Sequence, residues 1–174
     1  MTLPVVKLTR GIHALHLFYN IDRDRWNRMS TGQSSEARSR IEALCAKNSA
    51  ASHPRITTFA NVGGKADLVF FLLAAELGEI SQMHRDLECC FPPGTLLRVY
   101  SYLSVTELPD YVTTEEDQRN MLVNHEKLTP DTDAFNKRLA ELRQKHAEYE
   151  HYRLYPELPD WEVMGFYPMS KRRD

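Results

Sequence analysis

RITTFANVGGKADLVFFLL, residues 55–73, reads as two β-strands folded back on each other. Arg55 to Val62 and Ala66 to Leu73 are rich in β-branched and aromatic residues, and Gly63-Gly64 between them permits positive φ at both positions of a tight turn. Upstream, Ile12 to Ile21 (IHALHLFYNI) has the same extended character. Asp22 follows as a helix N-cap, and Arg25, Trp26 and Met29 begin the helix. The polar run Thr31 to Ser35, with Gly32, predicts an interruption before the helix resumes over Glu36 to Lys47, with Ile41 and Leu44 inward. Ser49 to Pro54 reads as a loop.

Downstream, Leu77, Ile80, His84, Leu87 and Phe91 recur at spacings of three and four, the buried stripe of an amphipathic helix. Pro92-Pro93-Gly94 ends it, and Leu97 to Leu108 is a fourth strand. The order β-α-β-β-α-β implies an α+β, ferredoxin-like antiparallel sheet with both helices on one face. An acidic connector, Thr113 to Asp117, then leads to an extra helix near the C-terminus. That helix runs from about Asp131 to Tyr149, with Thr129-Pro130 starting it. Phe135, Leu139, Leu142, His146 and Tyr149 form its stripe, and Glu141 and Lys145 an i,i+4 ion pair. Tyr155 to Pro159 is extended, and Glu162 to Pro168 reads as a last short strand. One domain over 1–174 is implied: a core at about 12–112, a helical insertion at 113–152, and a strand and tail at 153–174.

Composition excludes several classes of function. The 174 residues are 42% hydrophobic and 26% charged, as in ordinary globular chains rather than disordered or fibrous ones. Net charge is -2 with both signs interspersed, so no field draws nucleic acid or anionic lipid to the whole surface. The longest apolar run, Leu68 to Ala75, is strand-sized and too short to span a membrane. With no signal peptide and an odd cysteine count (Cys45, Cys89, Cys90), the expected setting is the reducing cytoplasm, with buried or partly buried thiols.

Motifs for nucleotide, serine-hydrolase or zinc chemistry are missing. His13 and His16 face opposite sides of one strand, and His84 and His146 fall on apolar stripes as boundary histidines. Arg153 to Arg173 is richer: tyrosines, a preceding arginine and a following Lys-Arg-Arg make a cradle for carboxylates, because arginine donates a bidentate fork and lysine a point charge. From residue types alone a solvated basic tail with sheet-packed tyrosines also stands.

Five pieces occur in an order that resembles a known family. They are His16-Leu17-Phe18-Tyr19-Asn20-Ile21-Asp22, Val62-Gly63-Gly64-Lys65-Ala66-Asp67-Leu68, Tyr100 to Leu108 (YSYLSVTEL), Leu154 to Pro159 (LYPELP) and Phe166 to Arg173 (FYPMSKRR). Together they look like the N-terminal half of the chlorite dismutase superfamily, and most like its coproheme decarboxylase branch. The resemblance runs from about Ile12 to Asp174, with Glu115 to Glu150 the divergent part. It implies a dimeric α+β barrel type of ferredoxin-like domain, a second such domain that carries the proximal histidine, and homo-oligomers, usually pentamers. The second domain would begin after Arg173, so no metal ligand is expected within this chain, which would act either as a homo-oligomer or paired with that C-terminal domain.

The implied cofactor and substrate is coproheme III, an iron porphyrin, with hydrogen peroxide as oxidant. In the family a tyrosine beside a propionate becomes a radical, removes hydrogen from it, and carbon dioxide leaves to give a vinyl group; two such steps give heme b. By motif, Tyr167 matches that tyrosine and Lys171 a charge partner and proton donor. Tyr111, Arg153 and Met169 match residues around the propionates. Two other readings share the fold: a chlorite dismutase or peroxidase-like heme protein, which has no use for the tyrosine, and a non-catalytic binding or assembly module.

Overall fold

The computed structural model describes residues 8–49, 53–109, 113–158 and 161–168. Its elements in order are β1 (His13–Ile21), α1 (Arg23–Arg28), α2 (Thr31–Lys47), β2 (Arg55–Ala60), β3 (Leu68–Ala74), α3 (Leu77–Cys89), β4 (Leu96–Val105), α4 (Glu115–Asn124) and α5 (Asp133–Leu154). The four strands form one sheet in the order β2-β3-β1-β4, with every neighbour antiparallel. This is the ferredoxin-like α+β arrangement that the order of elements predicts.

The alternation of side chains sorts the sheet into two faces. Leu15, Leu17, Tyr19, Ile56, Phe70 and Leu72 form the main core, against Ile80, Met83 and Leu87 of α3 and Ile41 and Leu44 of α2. His16 and Phe18 lie on the opposite face, in register with Phe71 and Val69 of β3 and with Tyr102 and Tyr100 of β4. Among the described residues β4 pairs with β1 alone, and its Leu103 and Val105 are exposed.

Asp67 locks the end of β1 to the hairpin. Its Oδ2 accepts the Ile21 N–H at 2.8 Å, its Oδ1 accepts Arg23 at 2.8 Å, and its own N–H donates to Tyr19 O at 2.8 Å. The Lys65-Ala66-Asp67 piece therefore has a structural role at its last residue.

Several local expectations are corrected. The β2–β3 connection is longer than a tight turn, closed by Asn61 N–H to Asp67 O and Asn61 Nδ2 to Ala66 O, so only Gly64 needs positive φ (73°). The helix break falls at Met29-Ser30, and Thr31 to Ser35 is helical. Ser30 and Gln33 form a reciprocal capping box, which outweighs the modest cost of Gly32 inside the first turn.

The acidic connector is the start of α4. Thr114 and Asp117 cap it, and Glu115, Glu116 and Asp117 favour its positive N-terminal end. α4 packs on α5 through Leu122, Phe135 and Leu139, a small core of its own. α5 begins after an N-cap at Thr132, beyond Pro130, and runs past Tyr149 to Leu154. Glu141 pairs with Arg138 at 2.9 Å rather than with Lys145. Tyr149 is exposed, so the stripe fades along the helix.

Glu162 to Pro168 is not a strand. It crosses the open face of the sheet, held by side-chain packing, and makes no ladder with either edge. Among the described residues, no helix is long and apolar enough to cross a membrane.

Leu72 has no exposed surface, whereas Val62 is 98% exposed. Leu72→Ala should lower unfolding free energy by about 2–5 kcal/mol, and Val62→Ala should leave it within about 0.5 kcal/mol. Denaturant titration of both variants checks the assignment of the core.

Candidate functional site

The open face becomes a site through the segment after α5, a strap that folds back over it. The end of the helix is tied down first: Thr106 Oγ1 donates to Leu154 O at 2.7 Å, and the Gly11 N–H donates to Tyr155 Oη at 3.3 Å. Tyr155, Leu158 and Met164 then pack on Ile12, Ala14, Phe71 and Leu73. Phe166 completes the path, its ring 4.2 Å from that of His16, 5.5 Å from Phe18 and 6.0 Å from Tyr102. His16 is thus sandwiched, since its other side stacks on Phe71 at 4.3 Å.

Burial between these rings pushes the His16 imidazole down to about 4, a backbone hydrogen bond at Tyr102 acting weakly the other way. At neutral pH the stack therefore holds a neutral ring. His16 Nδ1 and Thr57 Oγ1, both in register with Phe71, are buried there without a side-chain or backbone hydrogen bond of normal geometry among the described residues.

Beside Phe166 a trough of about 570 Å³ is lined by Phe18, Asn61, Lys65, Tyr100 and Pro168. Its walls are mainly apolar and aromatic, with one lysine at the rim. Tyr167, between Phe166 and Pro168, is 83% exposed. Its neighbour is anchored, and its own ring lies back over Gly165 with most of its surface exposed.

The expected site residues separate as follows. Tyr167 is presented on the strap. Arg153 lies in the last turn of α5, exposed and without an ion partner among the described residues. That turn is pinned at the level of Ile12 and Thr106, four residues along β1 from His16. At ~3.3 Å per strand residue this is roughly 13 Å of sheet, so Arg153 and Tyr167 address separated points. Tyr111, Met169 and Lys171 lie outside the described residues.

His13 and His16 do face opposite sides, as their spacing predicts. His84 is the satisfied boundary histidine expected of its stripe: its Nε2 lies 2.9 Å from Tyr19 Oη, which donates to Glu88 at 2.9 Å. Arg98 closes this cluster on Glu88. Burial pushes the Tyr19 phenol up to about 12, reinforced by Glu88. Of the thiols, Cys90 is buried and Cys45 half-buried, but Cys89 is exposed.

Sequence reasoning missed the roles of His16 and Phe166. The one available signal was that His16 lies on the face away from the helices while both its neighbours on the strand point into the core.

Residues 34–174 match the sequence profile of the family described as chlorite dismutase. The chain belongs to the chlorite dismutase family. Among solved structures it is similar to a heme-binding protein from Thermus thermophilus at 26% identity, with 78% of this chain and 51% of that chain covered and a TM-score of 0.52. It also resembles variant chlorite dismutases from Candidatus Nitrospira defluvii at 16% and 17% identity, with 84% of this chain and 68% of theirs covered and TM-scores of 0.50. The chain spans about half the length of the Thermus structure, and the likeness to the Nitrospira enzymes is one of fold.

The trough, mainly apolar and aromatic with Lys65 among its lining residues, has walls suited to a flat apolar ligand with an anionic arm, and Tyr167 lies on the strap outside that lining. No group of three or more metal-binding side chains occurs among the described residues. His16, the histidine beneath the strap, is enclosed between two phenyl rings rather than facing the trough.

The folded pKa of His16 lies below its unfolded value, so its neutral form stabilises the fold above about pH 6.5, and that contribution is lost as pH falls toward 4. His53 and His84, also lowered by burial, add to the same slope. His16→Phe should flatten part of the loss of stability between pH 6.5 and 4, measured as urea midpoints against pH; an unchanged slope would show that His16 is not enclosed as described.

Proposed function

We propose that this chain forms the propionate-facing half of a peroxide-dependent coproheme decarboxylase, with Tyr167 as the hydrogen-abstracting residue. The observation that carries the reading is the exposed phenol of Tyr167 on a strap whose preceding residue is packed into the sheet. A decarboxylase that works at a propionate needs a phenol close to one particular carbon, and holding it by its backbone neighbour gives proximity without covering the hydroxyl. Coproheme, when bound, supplies the oxidising equivalents of hydrogen peroxide.

The chemistry assigned to the protein then balances as follows. Oxidised by one electron with loss of its proton, Tyr167 takes a hydrogen atom from the propionate carbon next to the ring. The carbon radical so formed gives up a second electron to the oxidant as its carbon–carboxylate bond breaks, so carbon dioxide leaves and the side arm becomes a vinyl group. Peroxide accepts both electrons and becomes two waters, so each propionate consumes one peroxide and one further proton. Two rounds convert coproheme III to heme b.

The other residues hold carboxylates. Arg153, a bidentate donor on the last turn of α5, grips a propionate at a distance from Tyr167, consistent with a substrate that carries its carboxylates around a wide ring. Tyr111 donates to another carboxylate, Lys171 supplies the charge partner and proton, and Met169 lines the same region. The iron ligand comes from a second ferredoxin-like domain, and the open sheet face with its aromatic row is where such a domain would cover the porphyrin edge. The 26% identity to a heme-binding protein supports a porphyrin ligand. A soluble cytoplasmic homo-oligomer completes the proposal.

Tyr167→Phe tests this directly, because it removes the abstracting hydroxyl and little else. With a heme-ligating second domain present, the variant should still shift the Soret band of coproheme, while vinyl formation with peroxide falls by on the order of 10³-fold. Conversion at the wild-type rate, followed by mass spectrometry of the porphyrin, would remove Tyr167 from the reaction.

A further inference from the structure

We infer that Gly165 and Phe166 are positioning residues for Tyr167: Phe166 fixes the backbone on the sheet, and Gly165 leaves the space in which the phenol ring lies. The inference rests on the reading of Tyr167 above and adds to it what places the ring.

Phe166 contacts three rings from two strands, His16 and Phe18 on β1 and Tyr102 on β4. Aromatic pairs at these separations attract one another beyond what their buried area gives, and here they converge on one side chain of a segment without strand hydrogen bonds. Phe166 is therefore the pin nearest to Tyr167. Consecutive residues of an extended segment point in opposite directions, so pinning Phe166 toward the sheet directs Tyr167 away from it.

Gly165 leaves the room in which the ring lies. A Cβ built on Gly165 would lie 3.0 Å from Tyr167 Cε2, and 3.8 Å from both Cδ2 and Cζ. The phenol ring thus lies back over the glycine, and a methyl group there would force it to turn by a few tenths of an ångström or more. The backbone of Gly165 is not in the left-handed region, so alanine is conformationally acceptable there. The glycine is explained by the ring above it rather than by φ. A solvated tyrosine would need neither the pin nor the space, whereas one that must meet a single carbon needs both.

Gly165→Ala separates positioning from folding, since it adds one methyl group at a permitted backbone conformation. In the full chain labelled with ¹³C on tyrosine rings, a nuclear Overhauser contact between the Tyr167 ring and Gly165 Hα is expected, and Phe166→Ala should abolish it. In the coproheme-loaded protein with the heme-ligating domain, Gly165→Ala should lower kcat for decarboxylation by on the order of tenfold, with KM for coproheme and Tm unchanged. Phe166→Ala should lower kcat further, and Phe166→Trp should restore most of it. Wild-type kcat in Gly165→Ala, or absence of the Tyr167–Gly165 contact in the unsubstituted chain, overturns the inference. Full activity of Tyr167→Phe would instead overturn the parent reading, while the ring contact in the unloaded chain would survive.

Discussion

The packing of Phe166 against His16 holds together everything said about the site. A four-stranded sheet has two faces to cover, and here α2 and α3 cover one of them. The other is crossed by a strap with no strand hydrogen bonds, so its position depends on which side chains it can bury. Met164 and Leu158 supply aliphatic contacts, but the aromatic cluster around Phe166 sets the register of the last few described residues. A neutral His16 is part of that arrangement, because a charged ring between two phenyl faces would lose its solvation.

Most of the fold was legible because it rests on local periodicity. The hairpin around Gly63-Gly64, the stripe Ile80, His84 and Leu87, and the cap at Asp22 each announce themselves within a few residues. The misreadings share a cause. Ser30 and Gln33 form a reciprocal cap that starts α2 several residues before Glu36, and Thr114 and Asp117 form another that starts α4, a separate helix where an acidic connector is expected; both stretches have the polar composition of loops. The strap was misread for a different reason. Its alternating apolar residues suit a strand, but its partners are side chains some 150 residues away in sequence, and no local pattern encodes them.

The site was legible only in part, and chiefly through resemblance. Tyr167 was named by its motif, and its exposure is a property of the three-dimensional packing. Arg153 was expected on an extended approach and instead ends a helix, which moves its side chain to another level of the sheet. The chain belongs to the chlorite dismutase family and spans about half the length of a heme-binding protein that it resembles.

The most direct measurement is a Soret titration of coproheme against this chain, alone and with a heme-ligating second domain supplied, repeated with the tetramethyl ester of coproheme. A propionate-facing half predicts a saturable change once both domains are present, and a much weaker one when the carboxylates are esterified. A titration without saturation under every condition, or one indifferent to esterification, would contradict the account.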